Sequence, residues 1–313
     1  MSAARILALA VLLPLHASAA AQESPAAAPA IAPATPNAAA APQWPAWAAR
    51  MSKAQQSLNY DATLVIDHGR DWELVEVTQR IGPHGPEQQV VALNGERRRY
   101  VHTAQGMSLL GPEGDLRLGQ GPGLPASVQA ESLEGTYRIT LGGRDRIAGR
   151  AAVQMRIEPL SNDRFGLRLW LDADTGLPLR SERIGADGGV LERRMVTRLN
   201  VHGFAGRAAG ATRRITRVSA TIALPAGFNQ VGEPIAVPGI DGARQWILSD
   251  GLAWVSVYRL PMQPGLAPLT RSWRHGAMGQ IAINANDAWI YVLGDAPNAT
   301  LEQLGAAVLA GQR

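Results

Sequence analysis

Cysteine is absent from the 313 residues. That excludes a disulfide framework, a thiol nucleophile and any metal site built on thiolates. Lysine is almost absent too: Lys53 stands alone, and arginine makes up the rest of the 30 basic residues. Against 26 acidic residues the formal net charge is only +4. The arginines are mixed with Asp and Glu along apparent strands, so nucleic-acid binding is a poor reading. Such strands mark a solvated sheet face, or one turned toward an acidic partner or an anionic lipid head group. Long apolar runs are missing except at the start, where Arg5 precedes Ile6 to Leu15 and small residues follow at 17–21. This is the pattern of a secretory signal peptide, too short for a transmembrane span of about 20 residues. The expectation is a cleaved signal at 1–21 and an exported chain held by its core alone. High Ala, Gly, Pro and Arg content points to a GC-rich bacterial source, and so to the periplasm.

Residues 22–43 are an Ala/Pro tether with too little side chain to bury. Trp44, Trp47, Ala48, Met51, Ala54 and Leu58 follow the spacing of an amphipathic helix, with Pro45 suited to a first helical position. From Tyr60 to Val201 the signals are strand and turn. Tyr60, Ala62, Leu64 and Ile66 alternate with polar residues, Asn94-Gly95 marks a hairpin, and further strands are expected at 137–141, 151–159 and 190–201. Between them a helix is expected near 126–131. LRLWLDADTGLPLRSERIG, beginning at Leu167, reads as two strands joined by a tight turn, with Trp170 on the face opposite the apolar set. Strands spaced this regularly form an antiparallel sheet or open barrel, not βαβ units. After a linker at 203–213, strands at 244–248, 253–258 and 279–293 and a closing helix make a second, smaller sheet domain. Thr300 and Gln303 suggest a capping box for that helix. The expected domains are therefore 44–202 and 214–313.

Residues that could carry covalent chemistry are scattered. His68, His84, His102, His202 and His275 have no metal-ligand spacing. Ser108 lies in a GxSxxG run that lacks nucleophile-elbow spacing, and Pro122 spoils the Gly119–Gly123 run as a phosphate cradle. Asp172 and Asp174 flank a turn that supplies too few oxygens for calcium. No enzyme, cofactor or metal is expected. The run Arg97-Arg98-Arg99 is the outstanding local charge feature. In a strand, Arg97 and Arg99 face one way and Arg98 the other; they either solvate an edge or bind an anionic group on a partner. Trp170 either packs beneath the first helix or, if the sheet curves into a half-open barrel, helps to line a lumen for an acyl chain.

Seven stretches in order carry a family resemblance: AQQSLNYDATLVI, ALNGERRRYV, GRDRIAGRAAVQMRIEPL, LWLDADTGLPLRSE, LPAGF, LSDGLAWVSVY and VLGDAPNATLEQL. Together, from Trp47 to Ala310, they resemble the MucB/RseB family of periplasmic negative regulators of sigma-E, also called AlgU. The resemblance implies an α+β, mainly β fold. Its N-terminal domain would be an unclosed antiparallel β-barrel with a helical lid, like that of LolA and LolB, followed by a smaller antiparallel sheet with a covering helix. It also implies binding to the periplasmic segment of a RseA/MucA-type anti-sigma factor, shielding it from the first protease, with release by lipopolysaccharide or mislocalised lipoprotein. Arg97, Arg98, Arg99, Trp246, Asp250 and Trp254 are then assigned to partner contact, and Leu64, Ile66, Leu169 and Trp170 to a lipid cavity. A second copy of the chain is admitted as a partner. The rival readings are a lipoprotein or lipid carrier of the LolA type, which needs no second domain, and an envelope hydrolase, for which no poised nucleophile is found.

Overall fold

The computed structural model describes residues 44–103, 106–111, 114–119, 133, 135–206, 222–237, 239–262, 272–285 and 287–311. The expected helix near 126–131, the signal and tether, and most of the expected linker lie outside these residues. Helix α1, Trp44–Ser57, opens the described chain and buries Ala48, Met51 and Ala54. The strands β1 Leu58–Asp67, β2 Trp72–Gly82, β3 Gly85–Ala92, β4 Arg99–Thr103, β5 Gly106–Gly111 and β6 Gly114–Gly119 follow. Next come β7 Tyr137–Ile147, β8 Arg150–Pro159, β9 Gly166–Asp172, β10 Pro178–Ile184 and β11 Val190–Phe204.

These eleven strands form one sheet in the order β6-β5-β4-β3-β2-β1-β11-β10-β9-β8-β7. Each half is a meander of neighbours in sequence. The halves are joined where β1 pairs antiparallel with β11, from Leu58↔Phe204 to Asp67↔Arg193. The terminal strands β6 and β7 stand at opposite ends of the order, so the sheet is unclosed. The expected alternation in β1 holds at Tyr60, Ala62 and Ile66, which are buried, while Leu64 is half-buried; Leu58, expected on the helix, instead opens the strand. Asn94-Gly95 is not a two-residue turn. It sits within a longer connection, residues 93–98, where the Asn94 side chain accepts from Leu74 N at 2.7 Å and Gly95 has φ +69°.

The turn between β9 and β10 locks α1 to the sheet. Asp172, fully buried, accepts from Thr175 N at 2.8 Å and from Asp174 N at 3.0 Å, and is gripped by the Arg150 guanidinium. Burial pushes its carboxyl up, but the Arg150 and Thr175 hydrogen bonds outweigh that and hold it below the usual range. These turn aspartates are therefore structural. Arg50 of α1 donates to Ala173 O at 2.6 Å, and a Cβ on Gly176 (φ +81°) would lie 2.8 Å from the Arg50 carbonyl carbon. Gly176→Ala is accordingly expected to lose about 1–3 kcal/mol of stability through backbone strain and that clash. Urea unfolding measures it; an unchanged midpoint would mean that α1 does not depend on this contact.

The second sheet contains β12 Asn229–Gln230, β13 Ile235–Ala236, β14 Arg244–Ser249, β15 Trp254–Pro261, β16 Trp273–His275, β17 Met278–Asn284 and β18 Ala288–Gly294. Its order is β12-β14-β15-β18-β17-β16, with β13 also on β14. Helix α2, Asn298–Ala310, covers one face, burying Leu301, Leu304 and Val308 against Trp246, Leu248, Val255, Val257, Ile290 and Val292. Gly305 permits the close approach, since a Cβ there would lie 2.7 Å from Val292. The helix begins earlier than the capping-box reading implies. Its N-cap is Pro297, without a side-chain cap, and the Thr300 hydroxyl instead donates to Asp163 O at 2.7 Å.

Candidate binding cleft and the clamp between the sheets

A half-open cleft of ≈ 450 Å³, its mouth included, opens on the large sheet. Its floor is Tyr60, Ala62 and Leu64 of β1, Val77 of β2 and Val196 of β11. One wall is the chain from Leu177 to Ser181, and Arg194 joins the lining. Strand alternation explains the apolar floor, because residues two apart share a face. Behind Tyr60 lie two buried glutamines, Gln79 and Gln88. Gln88 Nε2 donates to the Tyr60 hydroxyl at 3.2 Å, and Gln79 Nε2 donates to Leu58 O at 2.9 Å. Burial pushes the Tyr60 phenol up to about 12, so it stays protonated. An apolar trough with Arg180 and Arg194 in its lining suits an acyl chain carrying an anionic group.

A different arrangement, absent from the sequence reading, joins the two sheets. Asp250, after β14, accepts from the Tyr137 hydroxyl at 2.7 Å and from Arg164 Nε at 2.8 Å, while Leu252 N and Ala253 N donate to its other oxygen at 3.0 and 2.7 Å. The Asp250 side chain is 0% exposed and that of Arg164 3%. Burial, then the charge of Asp250, drives the Tyr137 phenol far above its ordinary value. Arg183 of β10 pairs with Asp295 and donates to Leu252 O at 3.2 Å, while Trp254 N donates to Asp295 at 2.6 Å. Burial raises the Asp295 carboxyl despite Arg183. At the far side His275 meets Asp71 at 2.8 Å and lies 4.0 Å, ring to ring, from His68. Gly276 makes that approach feasible, because a Cβ there would lie 2.9 Å from both His68 and Glu192. Leu252 completes the joint by packing into the large-sheet cluster with Met51, Tyr137 and Leu169.

The residues assigned from sequence fall in several places. Leu64 lines the cleft, and Ile66 shares its hydrophobic cluster. Leu169 and Trp170 are consecutive and face opposite sides: Leu169 belongs to the cluster at the joint, while Trp170, 6% exposed, shares the hydrophobic cluster of the cleft floor and of Ala54 in α1, with Arg180 over its ring at 4.3 Å. Arg97 and Arg98 precede β4, and Arg99 begins it, so the expected alternation of three strand residues does not arise. Arg98 pairs with Glu73 at 3.2 Å and Arg99 with Gln89 at 2.7 Å; Arg97 is exposed. Trp246, 3% exposed, is core of the small sheet, Asp250 is the centre of the clamp, and Trp254 is half-buried beside it. The clamp was hard to anticipate, since its partners stand 86 and 113 residues from Asp250. Ser108 lies in β5, and among the described residues no group of three His, Asp or Glu converges as for a metal ion.

An open antiparallel sheet with a trough is braced by a second sheet through buried ion pairs. Residues 43–221 match the family model of the MucB/RseB N-terminal domain and residues 219–309 that of the MucB/RseB C-terminal domain. The chain belongs to the MucB/RseB family. Over 157 residues it is 29% identical to the sigma factor AlgU regulatory protein MucB of Pseudomonas aeruginosa, covering 49% of each chain. Over 173 residues it is 27% identical to the sigma-E factor regulatory protein RseB of Escherichia coli, covering 53% of this chain and 54% of the relative. The chain thus spans about half the length of the curated relatives it matches. A crystal structure of MucB superposes with TM-score 0.64 at 24% identity, over 84% of this chain and 96% of that one. The Pseudomonas aeruginosa MucA/MucB complex gives 0.61 at 24% identity, over 83% and 96%. At such identity the likeness is one of fold.

Proposed function

We propose that this protein is a periplasmic regulator that binds the periplasmic segment of a RseA/MucA-type membrane anti-sigma factor. Holding that segment shields it from site-1 proteolysis and restrains the sigma-E response; lipopolysaccharide or a similar lipid releases it. The observation that carries the reading is the pairing of the two matched family domains with an apolar trough that has Arg180 and Arg194 in its lining. A MucB structure in complex with MucA(peri) supports the choice of partner. The physical logic is linkage: a protease cuts only the free fraction of the segment, and a ligand favouring the dissociated form raises that fraction.

Arg97, Arg98, Arg99 and Trp254 keep accessible side chains and are proposed to touch the partner; Trp246 and Asp250 act by holding that surface in shape. Alanine at Arg97, Arg99 and Trp254 together is expected to weaken binding of the purified anti-sigma segment roughly tenfold or more, as loss of charged and aromatic contacts does. Titration calorimetry reads it, and an unchanged affinity would remove these residues from the interface.

A further inference from the structure

The face of the large sheet turned away from the cleft carries an ordered row of charge. Cross-strand pairing places Arg156 of β8 opposite Arg168 of β9, Arg168 opposite Glu182 of β10, and Glu182 opposite Arg193 of β11; Arg193 in turn faces Asp67 of β1, and Asp67 faces Trp72 of β2. Residues 193 and 194 are consecutive in β11, so Arg193 and the cleft-lining Arg194 point to opposite sides.

The Arg156 end is under-neutralised. Arg156 and Arg168 are like charges directly opposed, an arrangement that destabilises a sheet. Arg156 is exposed and donates to Gln154 at 3.0 Å, and Arg168, 41% exposed, reaches Glu182 only at 3.7 Å. Glu182 is already shared with Arg180 and with Arg193, the latter at 2.8 Å. The opposite end is apolar. Trp72 is 61% and Leu93 48% exposed. Beside the row, Met195 faces Val65 and Val65 faces Leu74, whose carbonyl accepts from Leu93 N at 2.8 Å.

We propose that this face binds an acidic polypeptide segment, extended across the strands, with carboxylates on Arg156 and Arg168 and apolar side chains against Trp72 and Leu93. Five strand spacings separate the ends, about 24 Å, which an extended peptide covers in about seven residues. Glu182 and Asp67 within the row favour a discrete chain over a membrane, because a lipid surface responds to summed charge whereas a peptide can match the alternation. The proposed contacts Arg156, Arg168, Trp72 and Leu93 lie outside the cleft lining, although Arg180 of the cleft wall bonds Glu182 of the row, and the proposal stands whether or not the proposed function does.

The test uses the full chain and a fluorescein-labelled peptide of about eight residues with Glu in one half and Leu in the other, long enough for that span, with a peptide of Lys and Leu in the same two halves as control. Fluorescence anisotropy is expected to show saturable binding of the Glu/Leu peptide alone. Arg156→Gln with Arg168→Gln should weaken it roughly tenfold through loss of two charge-assisted contacts, while Leu64→Gln in the cleft should leave it unchanged. Should the double variant unfold, Trp72→Ala is expected to weaken the same peptide. The proposal is overturned if the Glu/Leu peptide does not bind, if it binds no better than the Lys/Leu peptide, or if the arginine variants leave it unaffected. Phosphatidylglycerol vesicles displacing the peptide from these arginines would overturn it in favour of a membrane.

Discussion

Asp250→Ala is expected to remove about 3–5 kcal/mol of folding stability, the cost of leaving a buried guanidinium without its counter-charge. Arg164 would keep Asp163, at 2.6 Å, but would lose the fully buried carboxylate, and the Tyr137 hydroxyl and two backbone N–H groups would lose their acceptor with it. Replacing both charges, Arg164→Met with Asp250→Leu, is expected to recover only the part of that loss due to the stranded guanidinium, because the Tyr137 hydroxyl and the two backbone N–H groups still lack their acceptor. Denaturant unfolding of the three variants distinguishes the cases. If Asp250→Ala costs less than about 1 kcal/mol, the ordinary worth of an exposed pair, the clamp is not what joins the sheets.

Leu64→Gln is expected to weaken binding of labelled lipid A roughly tenfold to a hundredfold while leaving the fold intact. Leu64 is half-buried at the cleft floor, so the empty protein can hydrate a glutamine there, whereas a bound acyl chain would strip that amide of water at about 1–3 kcal/mol. Leu169→Gln would be a poor probe, since Leu169 is 1% exposed in the cluster at the joint and its loss would unsettle the sheet itself. Equal lipid affinity in the Leu64 variant would place the ligand elsewhere.

The large sheet was legible in sequence because its strands alternate and its turns carry Gly, Asn and Asp; β1, α1 and the β9–β10 hairpin lie close to where the pattern puts them. The limits of a one-dimensional reading are equally specific. Trp170 sits on the polar face as expected, and Arg180 stacks over it across the hairpin, a contact set by register rather than by period. Thr300 looks like a cap but is drawn to Asp163, a partner 137 residues away. The family resemblance directed attention to Trp246 and Asp250, but resemblance does not tell a residue that touches a partner from one that braces the surface beneath it. Only burial in three dimensions separates these roles.

The most direct test of the regulator reading mixes the purified protein with the periplasmic segment of the anti-sigma factor from the same organism and follows cleavage by the site-1 protease. Co-elution of the two, with cleavage slowed in proportion to the bound fraction and restored by lipopolysaccharide, is the expected result. A folded protein that neither co-elutes with the segment nor slows its cleavage would contradict it.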